Sequence, residues 1–158
     1  MFRSIRVHGC TALAFAALTM MSSCDKASTS PLDLGTETVS DDTGTVTVKI
    51  ALVDRPGTES ELTFKLEAVG TEEMDKLALD VALDEMWLVE GGSQWSGFVP
   101  PRQPQSHSVV VKPIDEATAP RVRITVSRFR DSEVLMQHEV EFTADGKPAS
   151  PAGAVPRL

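Results

Sequence analysis

The central part of the chain alternates apolar and polar residues with a period of two. This alternation is clearest in residues 45–52, 61–68 and 121–126. In the first segment the apolar positions are Val46, Val48, Ile50 and Leu52. Because successive side chains on a β-strand point to opposite faces, each segment buries one face and exposes the other. The pattern predicts half-buried strands.

Residues 71–84 fit two different structures. A strand would place apolar residues at every second position, at Leu77, Leu79, Val81 and Leu83. A helix capped by Thr71 would instead carry Met74, Leu77, Ala78 and Val81 along one side. That helix would leave Leu79 and Leu83 facing water, so the alternation favours a strand.

Two shorter strands are predicted at residues 86–90 and 94–99. Gly91, Gly92 and Ser93 lie between them, and these residues are typical of a hairpin turn. We therefore expect the two strands to pair with each other. A further strand is predicted at residues 109–112.

A long hairpin of residues 121–130 and 134–143 is predicted near the end of the chain. Phe129 takes the opposite parity to the preceding apolar residues, which predicts a bulge or strand end near Arg128. Altogether, about eight short strands separated by regular turn signals predict an all-β fold. The predicted class is an antiparallel Ig-like or transthyretin-like β-sandwich of about seven or eight strands. A single closed sheet is the alternative.

The first residues of the chain have the composition of a secretory signal. Arg3 and Arg6 lie in an acid-free start, and residues 10–21 form an apolar run. A stable membrane-spanning helix needs about 20 apolar residues, so this run is too short to cross a bilayer. A buried helix of a cytosolic protein is the alternative, but such a helix would show a polar face.

The signal ends in Met21-Ser22-Ser23-Cys24, which resembles the lipobox of bacterial lipoproteins. The resemblance implies removal of a signal peptide, residues 1–23, and attachment of a diacylglyceryl group to Cys24. It also implies acylation of the new amino terminus. The protein would then be anchored by lipid in the cell envelope, on the periplasmic face of the inner or outer membrane or on the cell surface.

Cysteine content fits this interpretation. The chain has two cysteines, and Cys10 would leave with the signal. A lone thiol at Cys24 would be a liability in an oxidising compartment unless it is modified. An intermolecular disulfide is the alternative.

Composition also suggests how the exported chain is divided. Residues 24–44 contain the lipidated cysteine followed by small, polar and acidic residues, which predict a flexible linker. Asp41, Asp42 and Thr43 could suggest a calcium loop, but the regularly spaced oxygen ligands of an EF-hand are missing. The β-sandwich is predicted at residues 45–146, and a disordered tail at residues 147–158.

The charge of the chain argues against two classes of partner. The net charge is −8, and removal of Arg3 and Arg6 with the signal makes it −10. Such an acidic body is repelled by nucleic acid and by anionic lipid headgroups. We therefore expect no nucleic-acid partner, and membrane contact through the N-terminal lipid alone.

The sequence lacks the common catalytic patterns. It contains no Gly-x-Ser-x-Gly motif, no phosphate-binding glycine motif, and no cysteine pair or histidine cluster to bind a metal. His138 lies in the apolar parity of its predicted strand, so we expect a hydrogen-bonded core or edge residue. A carboxylate pair for glycoside hydrolysis is an alternative use of the many acids. We expect no catalytic site, no cofactor and no metal.

Aromatic and basic residues supply the candidate recognition surface. Trp87, Trp95 and Phe98 could anchor a protein partner or stack on a sugar, with core filling as the alternative. The chain contains no Tyr and no Asn, two residue types that sugar-binding surfaces favour, and this argues against sugar binding. Arg121 and Arg123 could steer a partner. The alternative is internal pairing of the arginines of the last hairpin with Glu133, Glu139 and Glu141.

These observations predict a lipid-anchored envelope protein whose non-catalytic β-sandwich is a protein-interaction or structural module. The partner is expected to be another envelope protein. A carbohydrate- or small-ligand-binding module using Trp87 or Trp95 is the second hypothesis, and an envelope enzyme is the third.

Overall fold

A computed structural model describes residues 30–72 and 74–149 of the chain. The predicted signal peptide, Cys24 and residues 150–158 lie outside the described residues. The described elements are nine strands: β1 Leu32–Ser40, β2 Thr45–Asp54, β3 Ser60–Ala68, β4 Leu77–Asp84, β5 Met86–Glu90, β6 Gln94–Gly97, β7 Gln105–Pro113, β8 Arg121–Arg128 and β9 Val134–Glu141.

The strands form two antiparallel sheets that pack as a sandwich. The five-stranded sheet has the order β1-β2-β3-β7-β5, and the four-stranded sheet has the order β6-β4-β8-β9. Every strand pair is antiparallel. The predicted all-β sandwich is confirmed, and the alternative of a single closed sheet is wrong.

The core lies between the two sheets and consists of the alternating apolar residues. The five-stranded sheet contributes Val46, Val48, Ile50, Leu52, Leu62, Phe64, Leu66, Val109 and Val111. The four-stranded sheet contributes Leu77, Leu79, Val81, Val122, Ile124, Val126, Met136 and Val140. Each of these side chains is at most 3% exposed. Burial of one such side chain stabilises a fold by about 1.5 to 3 kcal/mol, so this layer is the main source of stability.

The predicted linker is wrong from Leu32 onward, because residues 32–40 form the edge strand β1. β1 pairs with β2 along its length, and its register shifts between Asp33 and Gly35. This bulge places Leu34 and Val39 in the core although their sequence positions have opposite parity. Because the bulge breaks the alternation of apolar and polar residues, the sequence of this segment resembled that of a polar linker.

The predicted hairpin of residues 86–90 and 94–99 is also wrong. β5 pairs with β7 in the five-stranded sheet, whereas β6 pairs with β4 in the four-stranded sheet. The glycine-rich segment between them therefore crosses from one sheet to the other. Its Ser93 carbonyl accepts a hydrogen bond from the Val81 amide of β4 at 2.7 Å.

Other boundaries are settled by burial and pairing. The strand prediction for residues 71–84 is confirmed at Leu77–Asp84, and Met74 is buried outside any strand. The register of β8 and β9 shifts between Val126 and Ser127, and β8 ends at Arg128, as the parity change predicted. The tail prediction is wrong for residues 147–149, since the Ala149 amide donates to the Glu141 carbonyl at 2.8 Å.

One side of the sandwich, which we call the β1–β9 seam, brings the edge strands β1 and β9 of the two sheets into contact. At its middle, His138 Nδ1 lies 3.4 Å from Glu37 Oε1, close enough to donate a hydrogen bond to that carboxylate. His138 is thus a hydrogen-bonded edge residue, as the sequence predicted.

Arg128 links the turns at one end of this seam. It lies 3.8 Å from Asp41 and 3.1 Å from Asp42 in the β1–β2 turn, and it also pairs with Asp131 and Glu133. The hydrogen bonds that Arg128 donates to Asp131, together with the nearby carboxylates, raise the pKa of Arg128. Burial tends to raise the pKa of Asp41, but hydrogen bonds from Thr43 and the Gly44 amide and the charge of Arg128 lower it overall.

At the other end of the seam, the turn after β9 packs on the turn between β2 and β3. The buried Ser60 hydroxyl donates to the Gly146 carbonyl at 2.7 Å. Gly146 has φ +78°, and a Cβ there would lie 2.1 Å from the Thr58 carbonyl oxygen, so only glycine fits. Lys147 also pairs with Asp54 at 3.0 Å. The seam is therefore closed by polar contacts at both ends and in the middle.

Candidate functional site

The opposite side of the sandwich ends in β5 and β6, and β5 presents exposed apolar residues. Trp87 is 59% exposed, and Leu88 and Val89 are each 39% exposed. Among the described strands β5 pairs only with β7. We call Trp87, Leu88 and Val89 the β5 edge. An apolar edge strand with one uncovered side is a typical docking site for another chain.

The turn that leads into β5 fixes how this strand leaves the four-stranded sheet. Glu85 has φ 53°, a left-handed conformation that reverses the side-chain direction between β4 and β5. Its carboxylate accepts hydrogen bonds from the amides of Ala119 at 2.9 Å and Thr118 at 2.7 Å. These bonds lower the pKa of Glu85. An anchored, ionised carboxylate therefore holds the start of β5 against the loop before β8.

The far end of β5 is shaped by a bulge and a glycine. The register with β7 shifts between Leu88 and Glu90, so Val89 has no partner residue on β7. Gly91 follows with φ +83°, and a Cβ there would lie 2.5 Å from the Ser108 carbonyl oxygen. The chain must therefore pass close over β7 at this point before it crosses to β6.

An ion-pair bridge covers the outer face of the sheet beside this bulge. Val109 and Val111 in β7 point to the core, so Val110 between them points to the outer face. Val110 is nevertheless only 3% exposed. Glu61 on β3 and Glu90 on β5 are the residues that flank Val110 in register. Arg55 contacts Glu61 at 2.9 Å and Glu90 at 3.2 Å, so its guanidinium joins the two sides of Val110. The hydrogen bonds that Arg55 donates to Glu61 raise the pKa of Arg55.

The structure separates the two tryptophans. Trp95 on β6 is partly buried and packs against the core. A Cβ at Gly97 would lie 2.7 Å from Trp95 Cζ2, so the indole lies across this glycine. Core packing therefore describes Trp95 but not Trp87. Phe98, just after β6, is 53% exposed on the edge of the other sheet.

Arg121 and Arg123 lie on β8 in the four-stranded sheet and are not part of the β5 edge. Arg121 pairs with Asp84 at 3.1 Å, and Arg123 pairs with Glu139 at 3.3 Å. The predicted internal pairing is confirmed for Glu139, which contacts Arg123 and lies 3.7 Å from Arg121. Asp84 is a further partner of Arg121 that was not predicted. The candidate surface proposed from the sequence thus divides between the two sheets.

Leu88 and Val89 are the site residues that the sequence analysis missed. Residues 86–89 read Met-Trp-Leu-Val, an apolar run without alternation. Such a run in a short strand indicates either burial on both faces or exposure of apolar residues at an edge. The placement of β5 at the end of its sheet decides between the two.

A shallow depression of about 450 Å³ lies on the outer face of the five-stranded sheet. Lys49 and Lys65 are opposite each other there, but Lys49 pairs with Asp33 at 3.7 Å and Lys65 pairs with Glu67 at 3.2 Å. Each lysine charge is thus balanced by a carboxylate.

Three other features of the described ranges bear on function: metal-binding groups, histidines and membrane-spanning helices. Residues 30–72 and 74–149 contain no group of three or more His, Cys, Asp or Glu side chains arranged to hold a metal ion. His107 is used structurally, with Nε2 2.7 Å from the Gly92 carbonyl oxygen. No helix in the described part of the chain is long and apolar enough to cross a membrane.

Comparison with known proteins gives no family assignment: no protein-family model matches the chain, and no curated protein matches it significantly. The proposed function therefore depends on the predicted signal sequence and on the β5 edge.

Proposed function

We propose that this protein is a lipid-anchored component of a bacterial cell envelope whose non-catalytic β-sandwich binds another envelope protein. The observation that carries the binding role is the β5 edge, where Trp87 and two aliphatic neighbours are exposed on a strand whose outer side no described strand covers. Exposed tryptophans are frequent anchors of protein interfaces. The anchor is supported by the lipobox-like sequence that ends at Cys24.

The lipid gives this domain a fixed location. Two acyl chains on Cys24 would provide stable attachment, since each buried CH₂ contributes about 0.8 kcal/mol. A Cys24→Ser variant should leave the membrane fraction, and the mature wild-type protein should carry the mass of the acylated cysteine. Unchanged pelleting of the variant with membranes, or an unmodified Cys24 thiol in the mature protein, would contradict the anchor.

The binding role is tested with tagged full-length protein cross-linked in cells. Trp87→Ala should reduce capture of the envelope partner by at least about tenfold, as expected for an interface anchor. Phe129→Ala is a matched control, because Phe129 is also an exposed aromatic, at 51%, but lies in the turn after β8. Equal capture by wild type and by Trp87→Ala would overturn the proposal.

Carbohydrate or small-ligand binding is the second candidate, favoured by one observation, the exposed indole of Trp87. Trp95 is not available for such a role because its ring packs against the core. Glycan-array binding that Trp87→Ala abolishes, without capture of any protein, would favour this candidate over the first.

A further inference from the structure

The backbone of β5 has hydrogen-bonding groups that its own sheet does not use. The Ile114 amide donates to the Glu85 carbonyl at 3.0 Å, so Glu85 and Ile114 form a hydrogen-bonded antiparallel pair. Such pairs alternate with non-hydrogen-bonded pairs along a ladder. Trp87 therefore bonds to β7, whereas the amide and carbonyl groups of Met86 and Leu88 point away from it.

The position of Pro113 supports this assignment of the outward backbone groups. Pro113 is the register partner of Met86 on β7 and has no amide hydrogen. In the derived pattern Met86 and Pro113 form a non-hydrogen-bonded pair, so no ladder bond is lost there. The backbone groups of Met86 and Leu88 are thus directed to the outer side of an edge that no described strand covers.

The start of this edge is acidic. Glu85 precedes β5, and its carbonyl bond to Ile114 brings the exposed Asp115 and Glu116 close to the same point. Within the described ranges Asp115 and Glu116 form no ion pair, whereas Glu90 at the other end of β5 is paired with Arg55. Lys112, the exposed register partner of Trp87 on β7, is the basic residue beside the middle of the strand. The negative charge along the edge is therefore concentrated at the Met86 end.

We propose that the β5 edge binds an extended, basic segment of the partner as an added antiparallel strand, with its Lys or Arg side chains beside Glu85, Asp115 and Glu116. This rests on the function proposed above and specifies how the partner is recognised. Backbone bonds to Met86 and Leu88 supply the pairing, and the partner's apolar residues cover Trp87 and Leu88. Added pairing stops at the bulge of Val89. Antiparallel pairing is the more stable orientation, so the basic residues belong at the C-terminal end of the segment.

Leu88 offers a matched pair of variants. Leu88→Pro removes the outward amide hydrogen without removing a bond to β7, and proline is tolerated on edge strands. Leu88→Ala removes the same side chain but keeps the amide. Loss of one backbone hydrogen bond should make Leu88→Pro bind about three- to tenfold more weakly than Leu88→Ala.

The test uses full-length lipoprotein in non-ionic detergent and labelled synthetic peptides of alternating valine and threonine, with fluorescence anisotropy as the readout. One peptide carries lysines at its C-terminal end, and a second has the same composition with the lysines at its N-terminal end. A third is the first peptide with alternate backbone amides methylated. We expect the first to bind most tightly, the second about tenfold more weakly, and the third not at all.

Several results would overturn strand addition. They are absence of binding by the first peptide, equal or tighter binding by the second or third, equal binding by the two Leu88 variants, and occupation of the edge by a second copy of the chain. If Leu88→Pro does not fold, the methylated peptide still tests the backbone bonds on wild-type protein. Strand addition can fail while Trp87→Ala still loses the envelope partner; in that case the proposed function stands and only its mode is wrong.

Discussion

The two open sides of the sandwich are closed in different ways. On the β1–β9 seam, Arg128, the His138–Glu37 pair and the Ser60–Gly146 hydrogen bond join the two sheets. On the opposite side, the β5 edge leaves Trp87, Leu88 and Val89 in contact with water. The seam strands also expose single apolar residues at their starts, Leu32 and Val134, but only β5 exposes three in succession. A contiguous exposed apolar patch is typical of a binding surface, whereas scattered single residues are not. The seam joins the two sheets, whereas the β5 edge is the surface on which the proposed binding role rests.

The largest expected effect compares one leucine from each side. Leu34 on β1 is 4% exposed, whereas Leu88 on β5 is 39% exposed. Leu34→Ala should lower the free energy of unfolding by about 2 to 5 kcal/mol, since it leaves a cavity in the packed seam. Leu88→Ala should cost about 1 kcal/mol or less. Urea unfolding of both variants measures the difference, and equal losses would show that the two sides pack alike.

A smaller effect is expected where Trp95 lies across Gly97. The Cβ of Gly97→Ala would meet Cζ2 of the indole at 2.7 Å, and a rigid ring cannot yield as a flexible side chain does. We expect a loss of about 1 to 3 kcal/mol and a change in tryptophan emission. Gly92→Ala is the control, because its Cβ would meet only the Gln94 carbonyl oxygen at 3.5 Å. Similar stabilities of the two variants would contradict the packing of Trp95.

Low pH should destabilise the β1–β9 seam by protonating Asp41. Hydrogen bonds from Thr43 and Gly44 and the charge of Arg128 outweigh burial and lower the pKa of Asp41 in the folded state. A group with a lowered folded pKa stabilises the fold above its unfolded pKa of about 4 and loses that contribution as pH falls through the folded value. Asp41→Asn should therefore reduce the pH dependence of the unfolding free energy below about pH 4. An unchanged pH dependence would exclude this role for Asp41.

The smallest effect is expected for Arg123 on the outer face of the four-stranded sheet. Its ion pair with Glu139 joins two partly exposed side chains. Arg123→Ala should change the free energy of unfolding by no more than about 0.5 kcal/mol and leave partner capture unaffected. Loss of partner capture in this variant would extend the binding surface to a second sheet.

The amino-acid sequence by itself determined which segments after residue 44 become strands and which faces most of them bury. The alternation of Val46, Val48, Ile50 and Leu52 specifies a buried face because strand geometry fixes side-chain direction every second residue. The same local rule predicted the register change near Arg128, which the pairing of β8 and β9 confirms. The lipobox-like signal at Cys24 stays a prediction from sequence.

Only the tertiary structure decided which strands are neighbours. The glycines at 91 and 92 fit a hairpin turn and a crossing between sheets equally well, because pairing depends on distant strands such as β7 and β4. β1 was not predicted because its bulge at Gly35 breaks the alternation of apolar and polar residues. The exposure of Trp87 and the partial burial of Trp95 likewise depend on where β5 and β6 lie in their sheets. Side-chain periodicity is a local property, whereas the position of a strand at an edge depends on contacts between residues far apart in the chain.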